Sequence, residues 1–211
     1  KNVHDVGGFG AELIANETKL SKKDIEKVLN FKIEKNIILV NLHPETKNEN
    51  ANYLALFLAL KKLTNKYTIV FTSPNSDPGS RAISRHILEF KKNNNVYYFS
   101  NLGSDLYHSL LRFSSVLIGN SSSGLLEAPL LNIPSINIGQ RQKGRLLEES
   151  VLNCNFNKNE ILKNFNRALK KKNKIFKIKH HINKEASKIM LKTLSTVNIN
   201  QIKTKKFFDV K

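Results

Sequence analysis

VLIGNSSSGLLEAPLLNIPSINIGQRQKGR, from Val116 to Arg145, contains two short apolar runs, each followed by a loop that contains glycine. The first run, Val116–Ile118, stops at Gly119, and three serines follow before a helical pattern begins at Leu125. Free backbone N–H groups, hydroxyls and the positive end of the helix dipole all point into such a strand–turn–helix junction. The junction therefore favours an anionic ligand such as a phosphate or diphosphate.

Two features extend this interpretation beyond a phosphate. Glu127 lies past the first turn of the predicted helix, so its carboxylate can accept hydrogen bonds from sugar hydroxyls while Ser121 holds the phosphate. The second apolar run, Ile133–Ile138, leads into a loop with three basic residues, Arg141, Lys143 and Arg145. The alternative is an ordinary strand, loop and serine-capped helix. Two adjacent loops of this composition favour the anionic ligand.

Composition limits the classes of protein to which the chain can belong. Its 211 residues, 40% of them hydrophobic, suffice for one large domain with a core. No stretch approaches the roughly 18 apolar residues that span a membrane. The single cysteine, Cys154, cannot form an internal disulfide, and the six histidines show no zinc-site spacing relative to it. We therefore expect a cytoplasmic protein that uses neither metal nor cofactor and does not bind a membrane.

The formal net charge of +18 raises the question of nucleic-acid binding. The lysines are dispersed along the chain, and the densest group, 170–179, falls where an exposed helix end and loop are expected. Aromatic residues do not alternate with the basic ones, as they do in platforms that bind single-stranded nucleic acid. We therefore predict a solvated basic surface and no nucleic-acid partner.

Apolar runs rich in valine, isoleucine or leucine alternate with helical patterns along the chain. Five of them are predicted strands: Ile37–Leu42, Tyr67–Phe71, Val96–Phe99, Val116–Ile118 and Ile133–Ile138. This alternation indicates an α/β fold, a Rossmann-like parallel sheet with helices on both faces. The predicted division is a linker with the first helices at 1–30, a Rossmann-like domain at 31–195 and a basic tail at 196–211.

Ligands of such sheets bind beyond the carboxyl ends of the strands. The loops at those ends carry the polar candidates for a binding site: His43, Asn75, Asn101, Gly103, Asn120, Ser121, Ser122 and Arg141. His43 could simply cap its loop through backbone bonds. Because it ends a strand beside the presumed diphosphate loop, we favour a role in donating to a phosphate oxygen or exchanging a proton.

Other polar residues of these loops and helices have simpler explanations. Asp77 and Ser104 stand where helices are expected to begin, so each is predicted to cap a helix, as is Asp105. His86 and His108 fall within predicted helices, where ordinary core or surface positions explain them.

Four segments together resemble a known family: LHPET (42–46), PNSDPGSR (74–81), GNSSSGLLEAP (119–129) and INIGQRQKGR (136–145). They look like the second domain of the UDP-N-acetylglucosamine 2-epimerases. The Asn-Ser-Ser-Ser-Gly and Gly-x-Arg-Gln-x-Gly-Arg forms are most similar to the hydrolysing branch, which serves sialic-acid-type sugar synthesis. The resemblance covers roughly residues 1–195, with the motifs in order.

The resemblance implies a fold of two Rossmann-like domains facing a cleft, of GT-B type, with this chain as the C-terminal domain and residues 31–195 as its nucleotide-sugar-binding part. It also implies a reaction on UDP-N-acetylglucosamine or a diamino relative. Elimination of UDP gives a glycal intermediate, and addition of water then releases N-acetylmannosamine or a related amino sugar.

Roles for individual residues follow from the same resemblance. His43 matches the catalytic histidine of this domain, and Arg141 matches an arginine at the substrate cleft. Ser121 and Ser122 would hold the diphosphate, with Glu127 on the ribose hydroxyls. Tyr107 or the loop 101–103 would lie near the uracil.

The family's acidic catalytic residues belong to the first domain, which is missing from these 211 residues. We therefore expect this chain alone to bind nucleotide weakly and to be inactive, and relatives suggest a homo-oligomer. The alternatives are a non-hydrolysing 2-epimerase, a GT-B glycosyltransferase, and a binding module that uses its basic surface on anionic partners.

Overall fold

The structure, a computed structural model, describes residues 4–34, 36–46, 51–172, 174–179 and 185–198. Within these ranges six strands form one sheet: β1 (Ile37–Asn41), β2 (Thr68–Thr72), β3 (Val96–Phe99), β4 (Ser114–Gly119), β5 (Ser135–Ile138) and β6 (Val151–Cys154). They lie in the order β3-β2-β1-β4-β5-β6, and every neighbouring pair is parallel.

The same ranges contain eight helices. These are α1 (Phe9–Asn16), α2 (Lys22–Leu29), α3 (Leu54–Lys61), α4 (Ser80–Phe90), α5 (Gly103–Phe113), α6 (Ser123–Leu130), α7 (Lys158–Lys171) and α8 (Ala186–Thr196). None of the helices in the described part of the chain is both long and apolar enough to cross a membrane.

Helices cover both faces of the sheet, as the sequence predicts. On one face α3, α4 and α7 contribute buried residues such as Leu56 and Phe165. On the other face α2, α5 and α6 pack over the sheet through residues such as Ile25 and Leu111. Helix α1 lies against α6, and α8 lies against α1. The strands are buried on both sides because apolar residues of both pleats face helices.

The strand order reverses between β1 and β4, which are neighbours although two strands separate them in sequence. Asn41 at the end of β1 is level with Gly119 at the end of β4. The loops that follow these two strands therefore emerge side by side. A crevice at such a reversal is the usual binding place of open α/β sheets.

The five predicted strands are all present, with ends shifted by at most two residues. The edge strand β6 is not predicted by the sequence pattern. It has only four residues, and of these only Leu152 is buried. The other four-residue edge strand, β3, reads Val-Tyr-Tyr-Phe and is predicted, whereas β6 reads Val-Leu-Asn-Cys and its two aliphatic residues are too few for recognition.

The capping roles predicted for Asp77, Ser104 and Asp105 are wrong. Helix α4 begins after Gly79, in the left-handed region at φ 93°, and the Asp77 side chain makes no cap bond. Helix α5 begins at Gly103, so Ser104 and Asp105 already lie within its first turn, and no side chain caps it. Helix α7 has a side-chain cap, because Asn157 accepts hydrogen bonds from two backbone N–H groups of its first turn. Most of the predicted tail 196–211 lies outside the described residues.

Candidate functional site

The loop after β4, residues 119–124 (the serine loop), lies tightly against the end of β1. The backbone N–H of Asn120 donates to the carbonyl of Asn41 at 3.1 Å. Gly119 has φ 149°, and a Cβ added there would lie 1.9 Å from the Asn41 carbonyl oxygen. Only glycine permits this close approach of two backbones. The serines that follow are thereby fixed at the central crevice.

Asn120 connects the serine loop to His43. Its side-chain oxygen accepts from the His43 backbone N–H at 2.7 Å, and its side-chain nitrogen donates to the His43 carbonyl at 2.9 Å. The Asn120 side chain is buried, so both hydrogen bonds are protected from water. The pair fixes the position of His43 relative to Ser121 and Ser122.

The protonation state of the His43 ring follows from its contacts. Nδ1 accepts a hydrogen bond from the backbone N–H of Asn75 at 3.0 Å. The ring proton of the neutral form is therefore on Nε2. Burial and the charge of Arg141 lower the pKa of His43 to about 4, and Asp77 opposes them. At neutral pH His43 is an uncharged donor through Nε2.

The loop after β5, residues 139–145 (the arginine loop), lies beside the serine loop. Arg141 Nη1 and Gln142 Nε2 both donate to the carbonyl of Asn120, at 3.3 Å and 2.8 Å. The predicted proximity of the two loops agrees with these contacts. The sequence interpretation did not identify Gln142, although it stands in the quoted INIGQRQKGR segment.

A buried carboxylate holds the arginine loop from below. Glu45 Oε1 accepts from the backbone N–H groups of Gln140 and Arg141, at 2.7 Å and 3.0 Å. Gly139, at φ 78°, leaves the space for this carboxylate, since a Cβ there would lie 2.2 Å from the same oxygen. Glu45 is a positioning residue that sequence reasoning missed. Its only signal was its place in LHPET, two residues after His43.

Asp77 faces the site, whereas the sequence suggested a capping role. Its carboxylate accepts a hydrogen bond from the side-chain nitrogen of Asn75 and lies 3.9 Å from Nη2 of Arg141. The loop after β2 thus contributes one negative charge opposite the guanidinium. The pair Asn75 and Asp77 bounds the His43 ring on the side of β2.

Glu127 is held by a chain of polar contacts within the site. Its Oε2 accepts from Ser123 Oγ at 2.7 Å and lies 3.3 Å from Nε2 of His108. Burial opposes its charge, but the bonds from His108 and Ser123 lower the pKa of Glu127 below its usual value. Ser123 also bonds the Tyr107 hydroxyl, which in turn accepts from Asn41 Nδ2 at 2.6 Å.

The candidates near the predicted uracil end are arranged differently. Tyr107 lies beneath the serine loop through the bonds just described, and burial raises the pKa of its hydroxyl. Asn101 and Gly103 follow the edge strand β3 and bond each other, with Asn101 Oδ1 accepting from the Gly103 N–H at 2.9 Å. The structure thus brings His43, Asn75, Asn120 and Arg141 into one hydrogen-bonded group, and it leaves Asn101 and Gly103 at the periphery.

A cavity of about 360 Å³ opens on the other side of the arginine loop. Its walls combine amide side chains with the basic residues of the loop: Asn137, Gln142, Asn153, Lys143 and Arg145. Cys154 also lines it, and burial raises the pKa of its thiol to about 11, so the sulfur is a neutral thiol. In the described part of the chain, histidine, cysteine and acidic side chains form no group of three that could hold a metal ion.

The chain is similar to proteins of one family throughout most of its length. The family model described as UDP-N-acetylglucosamine 2-epimerase matches residues 1–195. Over 161 residues the chain is 36% identical to the GDP/UDP-N,N'-diacetylbacillosamine 2-epimerase (hydrolyzing) of Campylobacter jejuni, covering 74% of this chain and 42% of that protein. It is also 33% identical over 168 residues to polysialic acid biosynthesis protein P7 of Escherichia coli, covering 78% and 43%. The chain spans less than half the length of these relatives.

Among solved structures, it resembles the UDP-GlcNAc 2-epimerase of Neisseria meningitidis bound to UDP-GlcNAc. The TM-score is 0.71 at 18% identity, and the match covers 91% of this chain and 55% of that one. The predicted fold, a Rossmann-like domain of the kind found in half of a GT-B structure, is confirmed. With a family model matched over residues 1–195 and a curated relative at 36% identity, this chain belongs to the UDP-N-acetylglucosamine 2-epimerase family.

Proposed function

We propose that this chain is the nucleotide-binding half of a hydrolysing 2-epimerase that acts on UDP-N-acetylglucosamine or a diamino relative. The observation that carries the proposal is the set of hydrogen bonds by which Asn120 connects the loops after β1 and β5. Its side chain fixes His43, while its carbonyl receives Arg141 and Gln142. The crevice thereby has a hydroxyl-rich turn, a histidine and an arginine at one point. Together these groups can bind a diphosphate.

In this proposal Ser121 and Ser122 hold the diphosphate at the start of α6, and Glu127 accepts from the ribose hydroxyls. Helix α6 adds the positive end of its dipole to the same position. Asn75 supports the His43 ring through its backbone N–H. Asn101, Gly103 and Tyr107 would border the uracil side, with Tyr107 acting from beneath the serine loop.

The reaction begins with elimination. The C2 proton is removed by a base from the family's other domain, the C1–O bond breaks, and UDP leaves with the bonding electrons, so that a glycal forms. His43 donates its Nε2 proton as a hydrogen bond to the leaving phosphate, and Arg141 compensates the growing charge there. Bound diphosphate adds negative charge beside the ring and raises its pKa, which makes His43 a better donor when the leaving group is present.

Water completes the reaction. The hydroxyl of a water molecule adds to C1. A proton adds to C2 on the face opposite to the one from which the first proton was removed. The products are the free 2-epimeric amino sugar and UDP. The amide-rich cavity beside the arginine loop has the hydrogen-bonding groups to receive the hydroxyl and acetamido groups of the sugar. The hydrolysing outcome is favoured by the similarity to a Campylobacter jejuni protein whose name includes the word hydrolyzing.

Calorimetric titration of the 211-residue chain with UDP tests the nucleotide part. We expect saturable binding that Ser121→Ala and Glu127→Ala each weaken by about tenfold, because each loses one charge-assisted hydrogen bond. The matched controls are Ser195→Ala and Glu149→Ala, both exposed. Binding that depends steeply on salt, shows no preference for UDP over pyrophosphate and is equal in all variants would instead support the basic binding module.

Product analysis tests the reaction. The family's N-terminal domain is joined ahead of residue 1, and turnover is followed by proton NMR in deuterated water. A free 2-epimeric sugar with deuterium at C2, together with UDP, is expected. A UDP-linked epimer would identify the non-hydrolysing alternative, and transfer of the sugar to an acceptor would identify a glycosyltransferase.

A further inference from the structure

His108 lies between two carboxylates that come from distant parts of the chain. Its Nδ1 contacts Oε2 of Glu17, the residue that ends α1, and its Nε2 lies 3.3 Å from Oε2 of Glu127 on α6. The side chains of Glu17 and His108 are 0% and 5% exposed. Because water does not reach this pair, its contacts are fixed by the fold.

Each ring nitrogen faces a carboxylate oxygen, and a carboxylate can only accept. Both nitrogens of His108 must therefore carry a proton for both contacts to be hydrogen bonds, and the ring is then a cation. The positive charge of Arg112, which binds the other oxygen of Glu17, prevents an excess of negative charge there. The Tyr107 ring lies 5.5 Å from the His108 ring, between centroids.

The pKa of His108 agrees with this geometry. Burial opposes the charged ring, yet hydrogen bonds and charges from Glu127 and then Glu17 raise the pKa above its ordinary value of 6.5. Among the described residues, the titratable or charged groups that face this ring are Glu17, Glu127, Arg112 and Tyr107.

Both bonds to Glu127 end on the same oxygen. Ser123 Oγ and His108 Nε2 meet at Oε2, and the Glu127 side chain is 29% exposed. Two donors on one oxygen fix the orientation of the whole carboxylate. The direction in which the second oxygen, Oε1, points is then fixed as well. This arrangement is typical of a residue that must present one oxygen to a ligand.

We propose that His108 is a positioning residue which, held by Glu17 and charged, fixes Oε2 of Glu127 so that Oε1 receives the vicinal hydroxyls of the nucleotide ribose. The proposal rests on the proposed function, in which Glu127 binds the ribose. It adds that Glu17 at the end of α1, which is distant from Glu127 in sequence, controls nucleotide affinity. It also adds that the affinity depends on one proton on His108.

The test compares the pH dependence of UDP affinity in the wild-type chain and in Glu17→Gln. Glutamine keeps the shape and an acceptor oxygen but removes the charge, so the pKa of His108 falls. We expect equal affinities, within about twofold, at pH 5.5, where the His108 ring is protonated in both proteins. At pH 7.5 we expect a loss of about tenfold in the variant, because the ring is then protonated in the wild type and largely neutral in the variant. UDP itself titrates near pH 6, so the ratio of the two affinities is the quantity to use.

Two controls separate positioning from a general loss of structure. His86→Gln changes an exposed ring that contacts Phe57, and its pH profile should match that of the wild type. Glu149→Gln removes an exposed acid and should likewise leave the profile unchanged.

If Glu17→Gln fails to fold, ring nitrogen NMR of the wild type decides the question, with His108→Gln used for assignment. The expected result is a doubly protonated His108 ring at pH 7.0, with a neutral His43 ring. A neutral His108 ring at that pH overturns the proposal.

The outcomes for the two proposals are distinct. If the wild-type chain has no affinity for UDP, the proposed function is contradicted, and so is the ribose role of Glu127. UDP binding that requires Glu127 but has the same pH profile in Glu17→Gln overturns the positioning role alone.

Discussion

The serine loop and the arginine loop sit side by side but are held by different means. Backbone geometry holds the serine loop, since Gly119 presses against the Asn41 carbonyl. A buried side chain holds the arginine loop, because Glu45 accepts two of its N–H groups. A loop of the first kind tolerates no added atom. A loop of the second kind fails when one carboxylate is lost, even if its own sequence is intact.

The largest effect is expected for Gly119→Ala, which attacks the backbone contact. The added Cβ would lie 1.9 Å from the Asn41 carbonyl oxygen and 3.2 Å from the Asn41 nitrogen. Neither atom can move without disrupting the β1–β4 pairing, so the free energy of unfolding should fall by about 4 kcal/mol or more. Urea denaturation measures it.

Gly10→Ala is the matched control for that substitution. Gly10 lies in α1, and an added Cβ there meets nothing within 4 Å. This change should be neutral or should stabilise by about 0.5–1 kcal/mol, since alanine favours a helix. Equal losses in the two variants would show that the serine loop has no special dependence on close backbone contact.

Glu45→Ala attacks the side-chain support of the arginine loop. Two backbone N–H groups lose their buried acceptor, so we expect a loss of about 1–3 kcal/mol in the free energy of unfolding. UDP affinity should fall together with stability, because Arg141 loses its fixed position. Exposed Glu149→Ala serves as the control. Unchanged UDP affinity in a destabilised Glu45→Ala would separate the arginine loop from the nucleotide site.

His43 stands between the two loops, and the pH dependence of stability measures how strongly they enclose it. The unfolded chain takes up a proton at His43 as pH falls below 6.5, whereas the folded state does so only at a pKa of about 4. Stability is therefore lost as pH falls through this window. Allowing for solvent contact of the ring, the loss is about 2 kcal/mol.

Comparison with His43→Gln isolates that contribution. Between pH 7 and pH 4 the free energy of unfolding of the wild type should fall by about 2 kcal/mol more than that of the variant. Parallel curves for the two proteins would mean that the loops leave the ring open to water.

The smallest effect is expected at the edge strand. Asn101 is exposed, and within the described part of the chain its side chain bonds its own turn through the Gly103 N–H. Asn101→Ala should change stability by less than about 0.5 kcal/mol and UDP affinity by less than about threefold, or 0.65 kcal/mol. A tenfold loss of affinity would show that the Asn101 side chain bonds the nucleotide directly, whereas the proposed function only places it at the border of the uracil side.

The sequence predicts the features that are local in the chain. The strand, glycine and serines of the serine loop are contiguous, so 119–124 could be recognised directly. Each of the five predicted strands carries at least three apolar or aromatic residues, whereas β6, Val-Leu-Asn-Cys, has only two consecutive aliphatic residues before Asn153.

Contacts between distant segments could not be predicted. Glu45 and the arginine loop are 95 residues apart, and Glu17 and His108 are 91 residues apart. Nothing in the spacing of the residues pairs them, because these contacts exist only once the sheet has formed. The prediction for Asp77 fails for a different reason. Its position before a helix suggested a cap, but the helix begins after Gly79, whose backbone is left-handed. The Asp77 carboxylate faces Arg141 instead.

Asn120 is one residue serving three loops: its amide side chain holds the segment after β1, and its carbonyl receives two residues of the segment after β5. The His43 partners of Asn120 are backbone groups, which any residue except proline supplies, whereas Arg141 and Gln142 bond it through their side chains. A graft of the segment after β1 should therefore preserve the bonds to Asn120. A graft of the segment after β5 preserves them only if it brings a side-chain donor at position 141 or 142.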